Sequence, residues 1–330
     1  MKKILVTGGA GYIGSHTVVE LFKAGYTPII IDNLCNTSKK NITGIEKIIK
    51  TKIKWHNVDC TNKIAMQNIF LKEEKIEGAI HFAAYKAVEE SVENPAKYYT
   101  NNIGSLEVLL QCMQKNNLNN IIFSSSCTVY GMPDILPVTE SAPFKKAESP
   151  YGETKQICEK KLLENSTNSV SLRYFNPIGS HESALIGDCS GDKASNLIPI
   201  ITETAIGKRD KVTIFGNDYN TNDGTCIRDY IHVIDLAKAH VAAMKFIIQN
   251  PGKHIFNVGT GNGISVLEAI QAFEKANQLK INYSIGSRRK GDIEKIYADG
   301  TLVKRKLSWQ PKKTLEQAMI SAWNWEKNKN

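Results

Sequence analysis

Tyr151 and Lys155 stand four residues apart in Tyr151-Gly152-Glu153-Thr154-Lys155, a spacing that places the two side chains one above the other on a helical face. A phenol with an ordinary pKa of about 10 is a poor base at neutral pH. A lysine ammonium some 5 to 6 Å away, at an effective dielectric near 20, favours the phenolate by roughly 3 kcal/mol, or about two pKa units. That shift moves the phenol toward the range in which it removes a hydroxyl proton as a general base. Ser126, the last of Ser124-Ser125-Ser126, is placed to orient that hydroxyl with a hydrogen bond; a serine that only caps a strand-end turn is the competing reading.

A second group of residues holds an anion. Thr7-Gly8-Gly9-Ala10-Gly11-Tyr12-Ile13-Gly14 follows an apolar run and opens a helix, so Gly9, Gly11 and Gly14 satisfy G-x-G-x-x-G in the required context. The turn needs a residue tolerant of positive φ, a pyrophosphate needs backbone unobstructed by a Cβ, and the helix N-terminus offers free amides. Asp32 ends the next apolar run, about 18 residues beyond Gly14, near the spacing of an acid that holds ribose hydroxyls. A carboxylate there repels a 2′-phosphate, and Asn33 follows instead of an arginine, so NAD is expected rather than NADP. Asp59, after Trp55-His56-Asn57-Val58, reads equally as an adenine contact and as a turn acid. An oxidised nicotinamide near Tyr151 would add its positive charge to that of Lys155.

Positioning these groups takes a parallel sheet covered by helices. Ile4-Leu5-Val6, Pro28 to Ile31, Ala79 to Phe82, Ile121 to Phe123 and Ser169 to Leu172 read as short strands. They alternate with helical periodicity from about Gly14, through Ile103, Leu106, Leu110 and Met113, and after Tyr151. The expected fold is α/β, a Rossmann-type doubly wound sheet with a smaller mixed lobe. Beyond Arg173 turn signals multiply, which places a boundary near Phe175: residues 1–175 bind NAD, and 176–330 mainly form the second lobe. Tyr230 to Val233 and Ile255 to Val258 are candidate strands that return to the main sheet.

The chain has 330 residues, 42% hydrophobic and 23% charged, the composition of a globular protein. No apolar stretch approaches the roughly 20 residues of a membrane span, and Met1-Lys2-Lys3 leads into a strand and glycines rather than a signal-peptide core, so a cytoplasmic location without membrane contact is expected. Seven single cysteines lack any zinc spacing, so no metal is expected. The net charge of +9 comes from scattered lysines, not from a stripe with interleaved aromatics, which argues against nucleic acid.

The motifs in register resemble the UDP-glucose 4-epimerase family of the extended short-chain dehydrogenase/reductase superfamily. The resemblance runs from Thr7 to about Asp299 through TGGAGYIGSH (7–16), DNLCN (32–36), HFAAYKAVEES (81–91), SSSCTVYG (124–131), SPYGETK (149–155), LRYFNP (172–177) and IFGNDYNTNDGTCIRDYIHV (214–233). It implies that Tyr151, Lys155 and Ser126 are catalytic. It further implies that Gly8, Gly11, Tyr12, Ile13, Gly14, Asp32, Asn33, Asn36, Asp59, Cys60, Phe82, Ala83, Ala84, Lys86, Asn101, Ser126, Tyr151 and Lys155 bind NAD, with Phe175 beside the nicotinamide. For a UDP-sugar the matching positions are Ser126, Tyr151, Asn176, Asn196, Leu197, Phe215, Arg228, Arg289, Asp292 and Ile296. Guanidinium forks suit diphosphate oxygens. The implied reaction interconverts UDP-galactose and UDP-glucose through a transient 4-ketose, with tightly bound NAD, and the helices near Asn101 and Tyr151 imply a homodimer.

The chain departs from the family at three places. Ala84 replaces a common glycine, the stretch from Ile186 to Ser195 differs from the usual acidic, proline-bearing loop, and Ile296 stands where a bulky tyrosine is frequent. The smaller Ile296 implies either added activity on UDP-GlcNAc and UDP-GalNAc or a neutral change of lining. A 4,6-dehydratase or decarboxylase on the same scaffold is the nearest rival, but dehydratases carry a carboxylate where this chain has Cys127 and Thr128. A non-catalytic NAD-binding protein is the rival from another class, and the intact Ser126, Tyr151 and Lys155 argue against it.

Overall fold

The structure, a computed structural model, describes residues 2–189, 194–289 and 292–329. Ser190 to Lys193, within the stretch that departs from the family pattern, lie outside the described residues. The first half contains β1 (Lys3–Thr7), β2 (Thr27–Asp32), β3 (Lys54–Asn57), β4 (Ile76–His81), β5 (Asn120–Ser124) and β6 (Asn168–Tyr174). The second contains β7 (Asn176–Ile178), β8 (Val212–Phe215), β9 (Ile227–His232), β10 (Lys253–Val258), β11 (Gly263–Ser265), β12 (Tyr283–Gly286) and β13 (Lys295–Ile296).

Seven strands form a parallel sheet in the order β10-β6-β5-β4-β1-β2-β3. Because side chains alternate across a strand, Ile4 and Val6 enter one apolar layer while Leu5 enters the other. The first layer packs under helices Tyr12–Lys23 and Val233–Gln249, through Val18, Val19, Leu236 and Met244. The second packs under Lys63–Lys72, Gly104–Lys115 and Pro150–Glu164, through Met66, Leu106, Leu110 and Cys158. Burial on both faces explains why the central strands read as continuous apolar runs. The strand order reverses direction between β1 and β4, so their carboxyl ends border the crevice where ligands of such sheets bind.

The two candidate returning strands part company. The run around Ile255 is β10, paired with β6 as the seventh strand. The run around Tyr230 is β9, which lies in a separate small sheet with β7, β11 and β13. The chain crosses back only after β9, when helix Val233–Gln249 lies down on helix Tyr12–Lys23. The smaller lobe has its own apolar cluster around Ile178, Ile201, Phe273 and Met319. A further cluster, Val129, Tyr130, Val138, Phe175, Ile296 and Ala298, draws on both halves. Among the described residues no helix is long and apolar enough to cross a membrane.

Candidate active site

The glycine turn is held by its own backbone. Gly8 sits at φ +68° and donates to the Ile31 carbonyl at 2.8 Å, and a Cβ on it would fall 2.8 Å from the Ala83 nitrogen. A Cβ on Gly14 would collide with the Gly8 carbonyl and lie 2.8 Å from Gly9 Cα. Gly11 is less crowded: a Cβ on it would meet only the Gly8 oxygen, at a tight 3.2 Å, at the N-terminus of the helix. The Ala10 carbonyl is fixed by Thr37 Oγ1 at 2.9 Å and Asn41 Nδ2 at 2.8 Å. A cradle that only missing side chains keep clear fits a dinucleotide pyrophosphate.

Asp32 faces this turn from the end of β2. Its carboxylate accepts the Ala10 amide at 3.0 Å and the Leu34 amide at 2.9 Å. Burial raises its pKa, and those amide hydrogen bonds oppose the rise. Asn33 donates to Asp59 at 2.9 Å, and Asp59 also accepts from the Thr61 amide and hydroxyl, which hold its pKa below the usual range against the opposing effect of burial. Asn36 is exposed at the rim. Cys60 lies in the apolar layer with Leu5 and Ile31, where burial pushes its thiol up. Phe82 donates its amide to the Thr7 carbonyl at 3.0 Å and packs on His240, its ring centroid 4.6 Å away. Ala83 packs against the second layer. Ala84 is half-buried just beyond it.

Tyr151 occupies the first turn of helix Pro150–Glu164, which Ser149 caps by accepting the Gly152 amide at 3.2 Å, with Pro150 at the first helical position. Tyr151 is 8% exposed and lies beside Ser126, which itself caps the short turn Cys127–Tyr130 through the Thr128 amide. Lys155, 4% exposed, donates to the Ser124 carbonyl at 2.6 Å and lies 5.8 Å from the Tyr151 ring centroid and 4.9 Å from that of Phe123. The expectation that this ammonium alone lowers the phenol's pKa is not met. Burial pushes Tyr151 up, neighbouring Tyr174 adds to the rise, and only the Ser126 side chain lowers it. Burial also draws Lys155 down to about 8, with Cys158 and Glu159 opposing. Withdrawing water destabilises both charged forms, and in the protein alone this exceeds their mutual attraction.

Several supporting residues escaped the sequence reading. Asn102, beside the expected Asn101, is buried in the turn Tyr99–Ile103; it accepts the Tyr85 amide at 2.8 Å and donates to Thr154 at 3.2 Å, tying the loop after β4 to the helix that carries Tyr151. Asn101 donates to Asn102 at 3.0 Å. Ser124 and Tyr174 share a 2.6 Å hydrogen bond, and Ser125 donates to Glu159, which is gripped by Arg173 at 2.6 Å. This buried pair lies directly behind the serine strand end. Pairings between residues so far apart in sequence leave no spacing signal.

Across the crevice the smaller lobe supplies charge. Arg289 binds Asp292 with two nitrogens, at 2.8 and 3.3 Å, stacks over Phe215 at 5.3 Å, and reaches Glu89 at 3.0 Å. Arg228 lies 3.8 Å from Asp292. Phe215, Arg228, Arg289 and Asp292 therefore form one cluster. Tyr12, Asn176, Asn196 and Leu197 line a second space of about 80 Å³. There Tyr12 donates to the Gly179 carbonyl at 2.6 Å, and Lys86, paired with Asp188 at 3.3 Å, lies 5.8 Å from the Tyr12 ring. Ile13, on the next helical position, packs against the first apolar layer. Phe175 and Ile296 lie together in the cluster shared by the two halves.

The family described as GDP-mannose 4,6 dehydratase matches residues 5–321. The UDP-glucose 4-epimerase of Haemophilus influenzae is 46% identical over 330 residues, spanning 98% of this chain and 97% of that protein. The structure of UDP-glucose 4-epimerase from Bifidobacterium longum in complex with NAD+ and UDP is 44% identical, with a TM-score of 0.96, covering 100% of this chain and 99% of that one. The UDP-Glc/GlcNAc 4-epimerase of Campylobacter jejuni is 37% identical, with a TM-score of 0.85 and 99% of each chain covered. With the glycine cradle, the Ser-Tyr-Lys group and this likeness along its whole length, the chain belongs to the UDP-glucose 4-epimerase family of the extended short-chain dehydrogenase/reductases.

Proposed function

We propose that this chain is an isomerase that interconverts UDP-galactose and UDP-glucose by inverting C4 of the sugar, with NAD as resident cofactor. The observation that carries the reading is the grouping of Tyr151 with Ser126 at the carboxyl end of β5, with Lys155 Nζ anchored on the Ser124 carbonyl and 5.8 Å from the Tyr151 ring centroid. Gly8, Gly11 and Gly14 would admit the pyrophosphate, and Asp32 would hold the adenosine ribose, with Asn33, Asn36 and Asp59 beside it. Phe82 to Ala84, Lys86 and Asn101 would line the remaining path to Tyr151 and Lys155, with Phe175 at the far end. The hydride acceptor and donor for C4, and a positive charge beside the phenol, would be what a bound NAD supplies.

Tyr151 takes the proton of the 4-hydroxyl as the C4–H bond breaks, and returns it once the transient 4-ketose presents its other face. Ser126 holds the 4-oxygen, and Lys155 stabilises the phenolate. Retaining the ketose calls for firm binding remote from C4, which Arg228 and Arg289 supply at the diphosphate and Asn176, Asn196, Leu197 and Phe215 supply around it. The dehydratase alternative lacks its base: Cys127 stands at the serine strand end, and burial pushes its thiol up to about 12, so it stays protonated. The test is purified protein with UDP-galactose and no added NAD. UDP-glucose forms if the reading is right; no product from folded protein that contains NAD defeats it.

Three finer assignments accompany this reading. Ile296, packed against Phe175 and Val129, is smaller than a tyrosine, and we assign activity on UDP-GlcNAc and UDP-GalNAc to that difference; absence of product from either rejects it. Helices Gly104–Lys115 and Pro150–Glu164 lie side by side, joined by Lys161 and Glu107 at 2.6 Å, and present Leu163 outward for a homodimer that light scattering would detect. All seven cysteines are free thiols, in keeping with a cytoplasmic location that cell fractionation would check. Residues 1–175 with 233–258 form the NAD half in this scheme, and most of the rest forms the UDP-sugar lobe.

A further inference from the structure

The two arginines assigned to the diphosphate do not face the crevice as free cations. Arg228 and Arg289 carry two positive charges, and Asp292 and Glu89 carry two negative ones within the same cluster, so an incoming anion meets a neutral group. The neighbouring Arg288 is directed elsewhere, onto Asp218 at 2.7 Å and the Tyr219 ring at 4.1 Å. One carboxylate must withdraw before a diphosphate gains the full attraction of both guanidiniums.

The two carboxylates are not equivalent. Asp292 is three residues from Arg289 on the same loop, uses both oxygens on that guanidinium, and its side chain is 13% exposed. Glu89 comes from the opposite wall, in the first turn of helix Val88–Glu93, makes one contact, and its side chain is 60% exposed. Its neighbour Glu90 is committed to Lys97 and Tyr98 on its own side. Glu89 alone therefore both bridges the crevice and can swing into water without leaving a buried charge unpaired.

Resting on the proposed assignment of Arg289 to the diphosphate, we propose that Glu89 is an internal competitor for the substrate diphosphate, a carboxylate strap across the crevice that UDP-sugar must displace and that sets substrate affinity. The exchange is electrostatic: the Glu89–Arg289 pair opens, the phosphate oxygens take the guanidinium, and Glu89 is hydrated. Glu89 has no part in proton or hydride transfer, so the strap acts on binding and leaves the chemical step alone.

The experiment is titration of the NAD-containing protein with UDP, together with steady-state kinetics on UDP-galactose. Glu89→Gln keeps the shape and removes the charge. It is expected to tighten UDP binding and lower KM by about 2- to 5-fold at low ionic strength, as for an exposed ion pair, with kcat unchanged. The gain shrinks as salt screens the pair. In an Arg289→Ala background the same change has no effect on UDP affinity. Unchanged or weaker UDP binding by Glu89→Gln overturns the strap. Failure of the wild-type holoprotein to bind UDP overturns the proposed function beneath it, so the two failures are distinct.

Discussion

The two walls of the crevice are built on different principles. On the cofactor side the groups that matter are mostly backbone amides and carbonyls, closed onto one another as Gly8 to Ile31 and Gly11 to Gly8, with the Ala10 amide held by the Asp32 carboxylate, at the carboxyl edge of a seven-stranded sheet. On the sugar side they are long charged side chains, Arg228, Arg289 and Asp292, partly exposed and paired with each other. A backbone site is set before any ligand arrives, whereas a side-chain site has to exchange partners. The first suits a resident cofactor, the second a substrate that enters and leaves each turnover.

The largest effect expected from this contrast comes from the chemistry fixed on the rigid wall. Tyr151→Phe removes the proton carrier but keeps the ring that fills the site, so kcat should fall by about 10³-fold while UDP binding stays within about 2-fold of wild type. Retained turnover would show that the phenol is not the base. Loss of UDP binding along with activity would show that the two walls are coupled more tightly than their contacts suggest.

Glycines within the cradle separate folding from cofactor binding. Gly14→Ala drives a Cβ into the Gly8 carbonyl, where only backbone could give way, and should cost about 3 kcal/mol or more in chemical denaturation. Gly11→Ala meets only the Gly8 carbonyl oxygen, at a tight 3.2 Å that a shift of a few tenths of an ångström relieves, so it should cost clearly less stability than Gly14→Ala, yet emerge from purification depleted of NAD. Equal damage to stability and cofactor content from the two would mean that the helix N-terminus at Gly11 is not where the pyrophosphate lies. A smaller loss is expected at Asp32→Asn, which keeps the shape but gives up the charge and one of the two acceptor oxygens that receive the Ala10 and Leu34 amides: NAD affinity should fall about 10-fold, read by cofactor exchange, as for a hydrogen bond to a charged group.

The same contrast explains what the sequence revealed. The cradle was legible because its requirements are local: glycines at a fixed spacing, an acid at the end of the next strand, and a tyrosine and a lysine one helical turn apart. The strands were legible where both faces are buried, as at Ile29 to Ile31 and Ile121 to Phe123. The destination of β9 was not, because its run of apolar residues suits either sheet and the choice is made by β7, β11 and β13, far away in sequence. Spacing gives the distance from Tyr151 to Lys155 but not the desolvation that both groups suffer in the protein without its cofactor. Glu89, Asn102 and Glu159 act through partners 200, 52 and 14 residues away, so nothing in their own neighbourhoods announced them.

An effect of similar size concerns Lys155, and it tests whether the rigid wall is dry. The folded protein holds this ammonium with a pKa of about 8, against 10.5 for an ordinary lysine, because burial penalises the charge. Below pH 8 both folded and unfolded chains carry the proton, and the penalty is fully present. Between pH 8 and 10.5 the unfolded chain keeps a proton that the folded chain has released. The unfolded state then binds more protons, so this group's contribution to stability rises with pH, by at most about 1.4 kcal/mol per unit. Lys155→Met abolishes that contribution. From pH 7.5 to 9.5 the wild type should therefore gain about 1–2 kcal/mol relative to the variant in denaturant titrations. Arg289→Met on the opposite wall should show no such slope, since a guanidinium stays charged throughout. A constant gap between wild type and Lys155→Met would mean that water reaches the ammonium and the two walls are equally wet.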